Sequence, residues 1–426
     1  MNRYIQPTIS PIEKIDVPPL RKTICSNGMP LYVMNMGDEE VMRVDVIISA
    51  GSWEQSKKMQ SMITNLLLKE GTSSHTSAQI AEMIDFYGAS LQTTATHHHS
   101  YLTLYTLNKY SEPMLDLMRE IILSPVFPES ELRTTMARRK QNYLTEREKV
   151  QYMASRGFLS ALYGKEHPYG RSAELSDFDG LTTDDLKMFH RRYYCSGNCQ
   201  VLVSGKINDK TVHLIERYLG TEQWGGTDCF ESKEHQMQPS ATRSLFIPKA
   251  NALQSAVRIG IPVIRRNHPD FQKLKVVNTI LGGYFGSRLM SNIREDKGYT
   301  YGIGSGITVY RKAAYLCVST QTACQYTRPL IAEVYREITR LQQELVSEEE
   351  LTMVKNYMIG EFCRSLESPF SIAEAYLSLI IDDMDATYLI SQPESVKNIT
   401  AEEVRETALR YLSSDLFYEI VAGKQE

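Results

Sequence analysis

The chain repeats itself, and that repeat limits its architecture more than any single motif. "MLDLMREIILSPVFPESELRTTMARRKQNYL" (114–144) and "LIAEVYREITRLQQELVSEEELTMVKNYMIGEF" (330–362) share one grammar. Each has an amphipathic helix ending near Arg-Glu-Ile, a loop, an acidic helix start, and a longer helix with apolar positions at 3.6 spacing. Arg119 recurs as Arg336 and Leu132 as Leu351, at spacings of 217 and 219. A unit repeated across a 426-residue chain predicts two homologous domains, because a chain of this length outgrows a single hydrophobic core.

Upstream of each copy lies an alternating strand, "RVDVIISAG" (43–51) and "SAVRIGIPV" (255–263). A helical stretch and further strands follow, among them "SLQTTATHHHSYLTLYTL" (90–107) and "AAYLCVSTQT" (313–322). Half-polar alternation in mixed order predicts an α+β class: two domains, each a largely antiparallel sheet with helices packed on one face. The aperiodic stretch 219–244, rich in Gly, Ser and charge, reads as a linker between domains 1–218 and 245–426.

The hydrophobic fraction of 42% and charged fraction of 23% fit a globular protein, and a net charge of −4 provides no electrostatic footing on nucleic acid or an anionic membrane. No apolar run has the length of a signal core or a membrane span, so a cytoplasmic location is the expectation. The seven cysteines are odd in number and form no CxxC pair, which argues for reduced thiols rather than a disulfide framework or a thiolate metal site. Cys195 and Cys199 lead straight into a strand and read as structure.

The most specific stretch is "ILGGYFGSRLMSNIREDKGYTYGIGSG" (280–306). It reads as a helix end, a glycine-rich turn, a short helix with Arg288 and Arg294, and a turn into a strand carrying Tyr299 and Tyr301 on one face. A guanidinium and a phenol together can hold a peptide carbonyl or its developing oxyanion; surface pairing and packing are the plainer alternative.

This stretch resembles the second-half signature of the insulinase/pitrilysin family of zinc peptidases, which includes mitochondrial processing peptidase. The residues that carry the likeness are Leu281, Gly282, Gly283, Ser287, Arg288 and Leu289, then Ile293, Arg294, Glu295, Gly298 and Tyr301. "AGSWEQ", "EGT", "PVFPESEL", "LYGKEHPYG" and "MFHRRYYCSGNCQVLVSGKI" extend it over essentially the whole chain. The resemblance implies a LuxS/metallohydrolase-like fold, two domains forming half of a clam-shaped chamber, and Arg294 and Tyr301 reaching the substrate at the metal centre.

The family's zinc motif is an inverted H-x-x-E-H on a helix. Counted back from Gly71 and Thr72, its histidine positions fall on Met62 and Leu66, and its general-base position on Asn65. Methionine is a poor zinc ligand, leucine is none, and an asparagine amide takes no proton from water. The third ligand position matches Glu146, whose setting in "TEREK" reads as a solvated helix face. The expectation is no metal on this chain, with zinc in a partner subunit. The partner would be a homologous subunit with an intact H-x-x-E-H, in a heterodimer, or a second copy in a homodimer.

Three adjacent histidines, His97, His98 and His99, stand out among nine in the chain. On a strand, His97 and His99 would share one face with Tyr101 and Tyr105, and at most two could bind one metal. The resemblance places Leu91, Gln92, Thr93, Thr94, Ala95 and Thr96 on an edge strand that pairs with substrate backbone, with His97 at its end. His167 reads as part of an H-P-Y turn and His190 as a helix cap. Three functions are consistent with these residues: a zinc-free peptidase subunit acting with a partner, an assembly protein of the same fold, or a self-sufficient peptidase using relocated histidines.

Overall fold

A computed structural model describes residue 12, residues 15–226 and residues 232–425. The alternating stretches form two sheets. The first has the order β1-β2-β6-β3-β5-β4, from β1 (Arg21–Ile24), β2 (Pro30–Asn35), β3 (Val41–Ile48), β4 (Ser90–Ala95), β5 (Ser100–Leu107) and β6 (Cys199–Gly205). The second has the order β7-β11-β8-β10-β9, from β7 (Ser244–Pro248), β8 (Gln254–Val263), β9 (Ile303–Val309), β10 (Ala314–Ala323) and β11 (Tyr418–Gly423). Without β1 the two orders correspond strand for strand. In both, the parallel pair lies at the same end (β2 with β6, β7 with β11) and every other pair is antiparallel. The repeat seen in the helices is therefore a repeat of whole half-chains.

The first half carries α1 (Gln60–Leu67), α2 (Ser77–Phe86), α3 (Ser111–Leu123), α4 (Glu129–Glu146), α5 (Val150–Tyr163), α6 (Thr183–Tyr193) and α7 (Asp209–Ile215). The second carries α8 (Phe271–Asn278), α9 (Thr327–Gln343), α10 (Glu348–Arg364), α11 (Pro369–Ile380), α12 (Thr387–Asn398) and α13 (Ala401–Tyr411). The duplicated helix pair is α3–α4 and α9–α10. Local chemistry sets their starts: the Ser347 hydroxyl accepts from the Glu350 N–H at α10, and Ser368 caps α11 ahead of a proline in its first turn.

Alternation in the strands puts Val44, Val46, Leu102, Leu104, Val201 and Val203 on one face of the first sheet. They share a core with Ile63, Leu67, Leu115, Met118 and Phe189 of that half's own helices. This is the layer read from the sequence. The opposite face is also covered, by a helix from the other half: Ile47 and Leu202 pack with Ala373 and Ile380 of α11, and Met34 with Ile372, Tyr376 and Leu379. The loan is reciprocal. On the second sheet, Phe158 of α5 packs with Tyr418 and Ile420, and Ala154 with Ala256 and Ala422.

Because both faces of β3 are covered, its polar residues are buried too, and they must be paired. Arg43 holds Asp45 at 2.8 Å on its own strand and Glu374 of α11 at 2.8 Å across the junction. Between residue 221 and β7 the described chain has neither helix nor strand, yet it is held. The Trp53 indole N–H donates to the Lys233 carbonyl at 2.7 Å, and the Gln238 and Ser240 N–H groups donate to the carbonyls of Tyr163 and Ala161 on α5. Residues 227–231, including Cys229, and the segment before Ile15 apart from Ile12 lie outside the described residues. No described helix is long and apolar enough to cross a membrane.

The closest approach in the exchange is at Gly260 of β8. A Cβ there would lie 2.5 Å from the Phe158 ring of α5 and 2.7 Å from the Leu316 carbonyl oxygen. Gly260→Ala is expected to destabilise the protein by about 1–3 kcal/mol, the usual cost of overpacking. A thermal midpoint unchanged by this substitution would contradict the tight seating of α5.

Candidate functional site

The helix at the motif position, α1, lies over the first half's core and against the β4–β5 hairpin. Met62 and Leu66, one turn apart, are half-buried, and Met62 packs on the apolar core. Asn65 is almost fully buried. Its amide N–H groups donate to the carbonyls of Thr94 (2.8 Å) and Tyr101 (3.1 Å), and its carbonyl accepts from the Tyr194 hydroxyl (3.1 Å). These contacts pin α1 to β4 and β5. A carboxylate at 65 would face two carbonyls with no proton to offer. Glu146 ends α4 and pairs with Lys149 at 2.6 Å in a largely exposed ion pair. This residue set does not fit a zinc ion: one position is apolar, one is a thioether set in the core, and the amide is committed to backbone.

The three histidines do not continue a strand. Thr96–His99 is the tight turn joining β4 to β5, with the Thr96 N–H donating to the His99 carbonyl (2.8 Å) and the His99 N–H to the Thr96 hydroxyl (3.1 Å). The expected two-face arrangement is therefore replaced, for one local reason and one distant one. The Thr96 side chain supplies turn bonding, and the Ser52 and Trp53 N–H groups bind the carbonyls of Thr96 and His97. Gly51 permits that approach, since a Cβ there would lie 2.3 Å from the His97 carbonyl oxygen.

The imidazoles enter an aromatic cluster between the halves that the sequence did not reveal. Trp53 meets His98 at a tilt (4.7 Å) and His235 edge to face (4.8 Å), and Tyr169 lies flat on Tyr310 (4.2 Å) from the β9–β10 turn. His97 Nδ1 is 2.9 Å from the Ser52 hydroxyl and His98 Nε2 is 2.6 Å from the Tyr169 hydroxyl. Those ring nitrogens are thus already engaged by protein groups. The "AGSW" and "HPY" segments are visible in sequence, but their meeting across more than 100 residues is not. His167 forms the expected turn, its Nδ1 accepting from the Tyr169 N–H. His190 reaches across from α6 to the Ile122 carbonyl near the end of α3, at 2.7 Å.

β4 is an edge strand, paired only with β5. Leu91 turns into the core, while Gln92, Thr94 and Thr96 are exposed. Among the described residues no strand pairs with its outer side, so backbone groups remain there for an added strand.

Arg294 and Tyr301 are brought together in the second half. A π-helical segment, Met290–Asp296, carries Arg294, and its Nε donates to the Tyr301 carbonyl at 3.1 Å. The Phe285 ring lies 5.0 Å from the guanidinium. Gly298, at φ 64°, makes the turn, and Thr300 and Thr322 hydroxyls tie 299–302 to the end of β10. Tyr299 does not share a face with Tyr301 as read from the sequence, because β9 begins only at Ile303. Tyr299 stacks on Tyr326 at 4.9 Å, whereas Tyr301 is 95% exposed. Both line an open cleft of about 570 Å³. Arg288 is structural, making a two-point bond to Glu350 at the start of α10, both contacts 2.8 Å.

The cleft and the histidine turn lie at opposite ends of the β9–β10 hairpin. Nine extended residues from Tyr301 to Tyr310 span roughly 30 Å. Arg294 and Tyr301 cannot act on a group bound at the histidines of the same chain.

Two α+β halves of one topology, a motif helix without ligands and an exposed Arg–Tyr cleft define a chain built on a peptidase plan without its metal set. Comparison with known proteins places it. Residues 33–172 match the family described as insulinase (peptidase family M16), and residues 180–358 match the M16 inactive domain. The chain belongs to this family. It is 23% identical to the uncharacterized zinc protease YmxG of Bacillus subtilis, covering 82% of this chain and 85% of that one. It is 22% identical to the non-peptidase homolog YmxG of Helicobacter pylori, covering 69% and 68%. The M16 inactive-domain structure from Pseudomonas fluorescens superposes with a TM-score of 0.86 at 22% identity, over 96% of this chain and 98% of that one.

Burial pushes the pKa of His97, His99 and His167 down to about 4 and that of His98 to about 3, with nearby cationic groups adding to the effect. Below the ordinary value of 6.5 the unfolded chain takes up protons that these folded imidazoles refuse, so stability is full above that value and falls on acidification through 6.5. The thermal midpoint is expected to drop already between pH 7 and 5.5, above the range where carboxylates titrate. A flat midpoint over that window would contradict the buried neutral cluster.

Proposed function

We propose that this chain is the zinc-free, catalytically silent subunit of an insulinase-type metallopeptidase. Its halves, 1–218 and 245–426 joined by 219–244, form one wall of a peptide-enclosing chamber. Arg294 and Tyr301 serve the zinc site of a homologous partner that carries an intact H-x-x-E-H. Peptide backbone adds to β4 along Leu91–Ala95; Thr96, whose N–H and carbonyl are spent in the turn to β5 and on Ser52, drops out of the expected track. The observation that carries this reading is a division of labour. Asn65 is consumed by backbone bonding at the motif helix, while Tyr301 stands 95% exposed to solvent. The inactive-domain match and the non-peptidase name of the Helicobacter homologue support the silent character.

In the partner's site, Arg294 would supply a permanent cation with several donors and Tyr301 a neutral O–H, both aimed at the oxygen that gains charge as the peptide bond is attacked. Mixing this chain with an H-x-x-E-H homologue is expected to yield a complex and a rise in peptide hydrolysis. Arg294→Ala with Tyr301→Phe should lower kcat by about 10² to 10³ with assembly intact. Unchanged turnover in that variant would instead assign the chain a purely assembling role, and a failure to form any complex would sink both readings. Metal analysis of the chain alone is expected to find far less than one zinc per molecule after dialysis; a stoichiometric ion would overturn the zinc-free assignment.

A further inference from the structure

The second half contains a cavity that neither the motif helix nor the Arg–Tyr cleft accounts for. It has a volume of about 530 Å³ and lies among α8, β9, α10, α11 and α12. That size is within the range of pockets that enclose small ligands. α8 follows β8 as α1 follows β3, and one face of α8 lines the cavity with Phe271, Lys275 and Asn278 at helical spacing. Ile307, Met358, Phe362 and Leu389 provide apolar walls.

The charge in this cavity is unbalanced. Among the described residues, the Lys275 ammonium has no hydrogen-bond or ion-pair partner. Arg266 faces the same space and is only partly engaged: it bonds the Ser378 carbonyl (3.1 Å) and hydroxyl (3.0 Å) and lies 3.5 Å from Asp382. Glu361, also on the lining, is paired with Arg364. Burial, with Arg266 nearby, pushes the pKa of Lys275 down to about 8. A cation taken out of water beside a second cation is costly unless an anion joins it.

We propose that this cavity binds a carboxylate carried on an apolar chain. The ammonium of Lys275 and the guanidinium of Arg266 hold the carboxylate, and the aliphatic and aromatic walls take the chain. A carboxylate suits the site because it offers two acceptors to two cations on one lining and neutralises the charge of Lys275, whereas Arg266 already has Asp382. Two sources share this chemistry: an aliphatic fatty acid, and a peptide C-terminus ending in an apolar residue.

Isothermal titration of the full chain separates them with three probes: decanoate, a pentapeptide ending in leucine with a free carboxylate, and the same peptide amidated. Saturable one-to-one binding of decanoate or of the free-acid peptide is expected, with the amide not binding. Lys275→Met should weaken it at least tenfold, Lys275→Arg should keep it, and Arg294→Ala should leave it unchanged. Decanoate alone binding assigns the fatty acid, and the free-acid peptide alone assigns the peptide terminus. No saturation by either acid up to about 1 mM, or equal affinity in Lys275→Met, overturns the site. Because Lys275→Met removes an unpaired cation, its thermal midpoint should equal or exceed that of the parent; a fall would mean that Lys275 serves the fold and would likewise overturn the site.

Discussion

The structure depends on a reciprocal exchange of helices. Each half buries one face of its sheet with its own helices and leaves the other face, including Ile47, Leu202 and Ile420, to a helix supplied by the opposite half. Neither sheet is complete alone. Full burial of a large aliphatic or aromatic side chain stabilises by about 1.5–3 kcal/mol, so a half without its borrowed helix would lose a sizeable share of its core. The Arg43–Asp45 pair, buried under α11, is neutral in itself, and Glu374 adds a further contact to Arg43 from the other half.

That exchange fixes where chemistry can occur. It holds the aromatic cluster around Trp53 and Tyr169 in the seam and sets the Arg–Tyr cleft at the far end of the β9–β10 hairpin. The first half keeps an open-edged β4 but spends its motif helix on structure through Asn65. The second half keeps Arg294 and Tyr301 exposed. The groups left exposed, Tyr301 and the outer edge of β4, are those that the proposed function assigns to contact with another chain and with peptide.

Much of this was legible in the sequence, and the remainder has identifiable physical reasons. The repeat was readable because amphipathic helices with acidic starts recur at near-constant spacing; that Met62, Asn65 and Leu66 stand at the zinc-motif positions came from the family resemblance. The exchange was not, because an apolar helix face such as that of α5 does not state which sheet it will cover. The histidine turn was missed because Thr, Tyr and Ser flanks continue a strand-like alternation through 90–107, with no Gly, Pro or Asn to mark the bend. Its distant cause, the approach of Gly51 and Trp53 to His97, lies 46 and 44 residues away. Arg294 and Tyr301 were singled out through the family resemblance, not their bond to each other, and the opposite fates of Tyr299 and Tyr301 depend on the tie between Thr322 and the turn.

The central claim is that Tyr301 acts across a subunit boundary. A photo-crosslinking residue at position 301, in a complex with an H-x-x-E-H homologue and a bound peptide, reports on it directly. Light-dependent adducts from 301 to the peptide or to the partner's motif helix are expected. An assembled complex with peptide bound in which position 301 labels neither would contradict it.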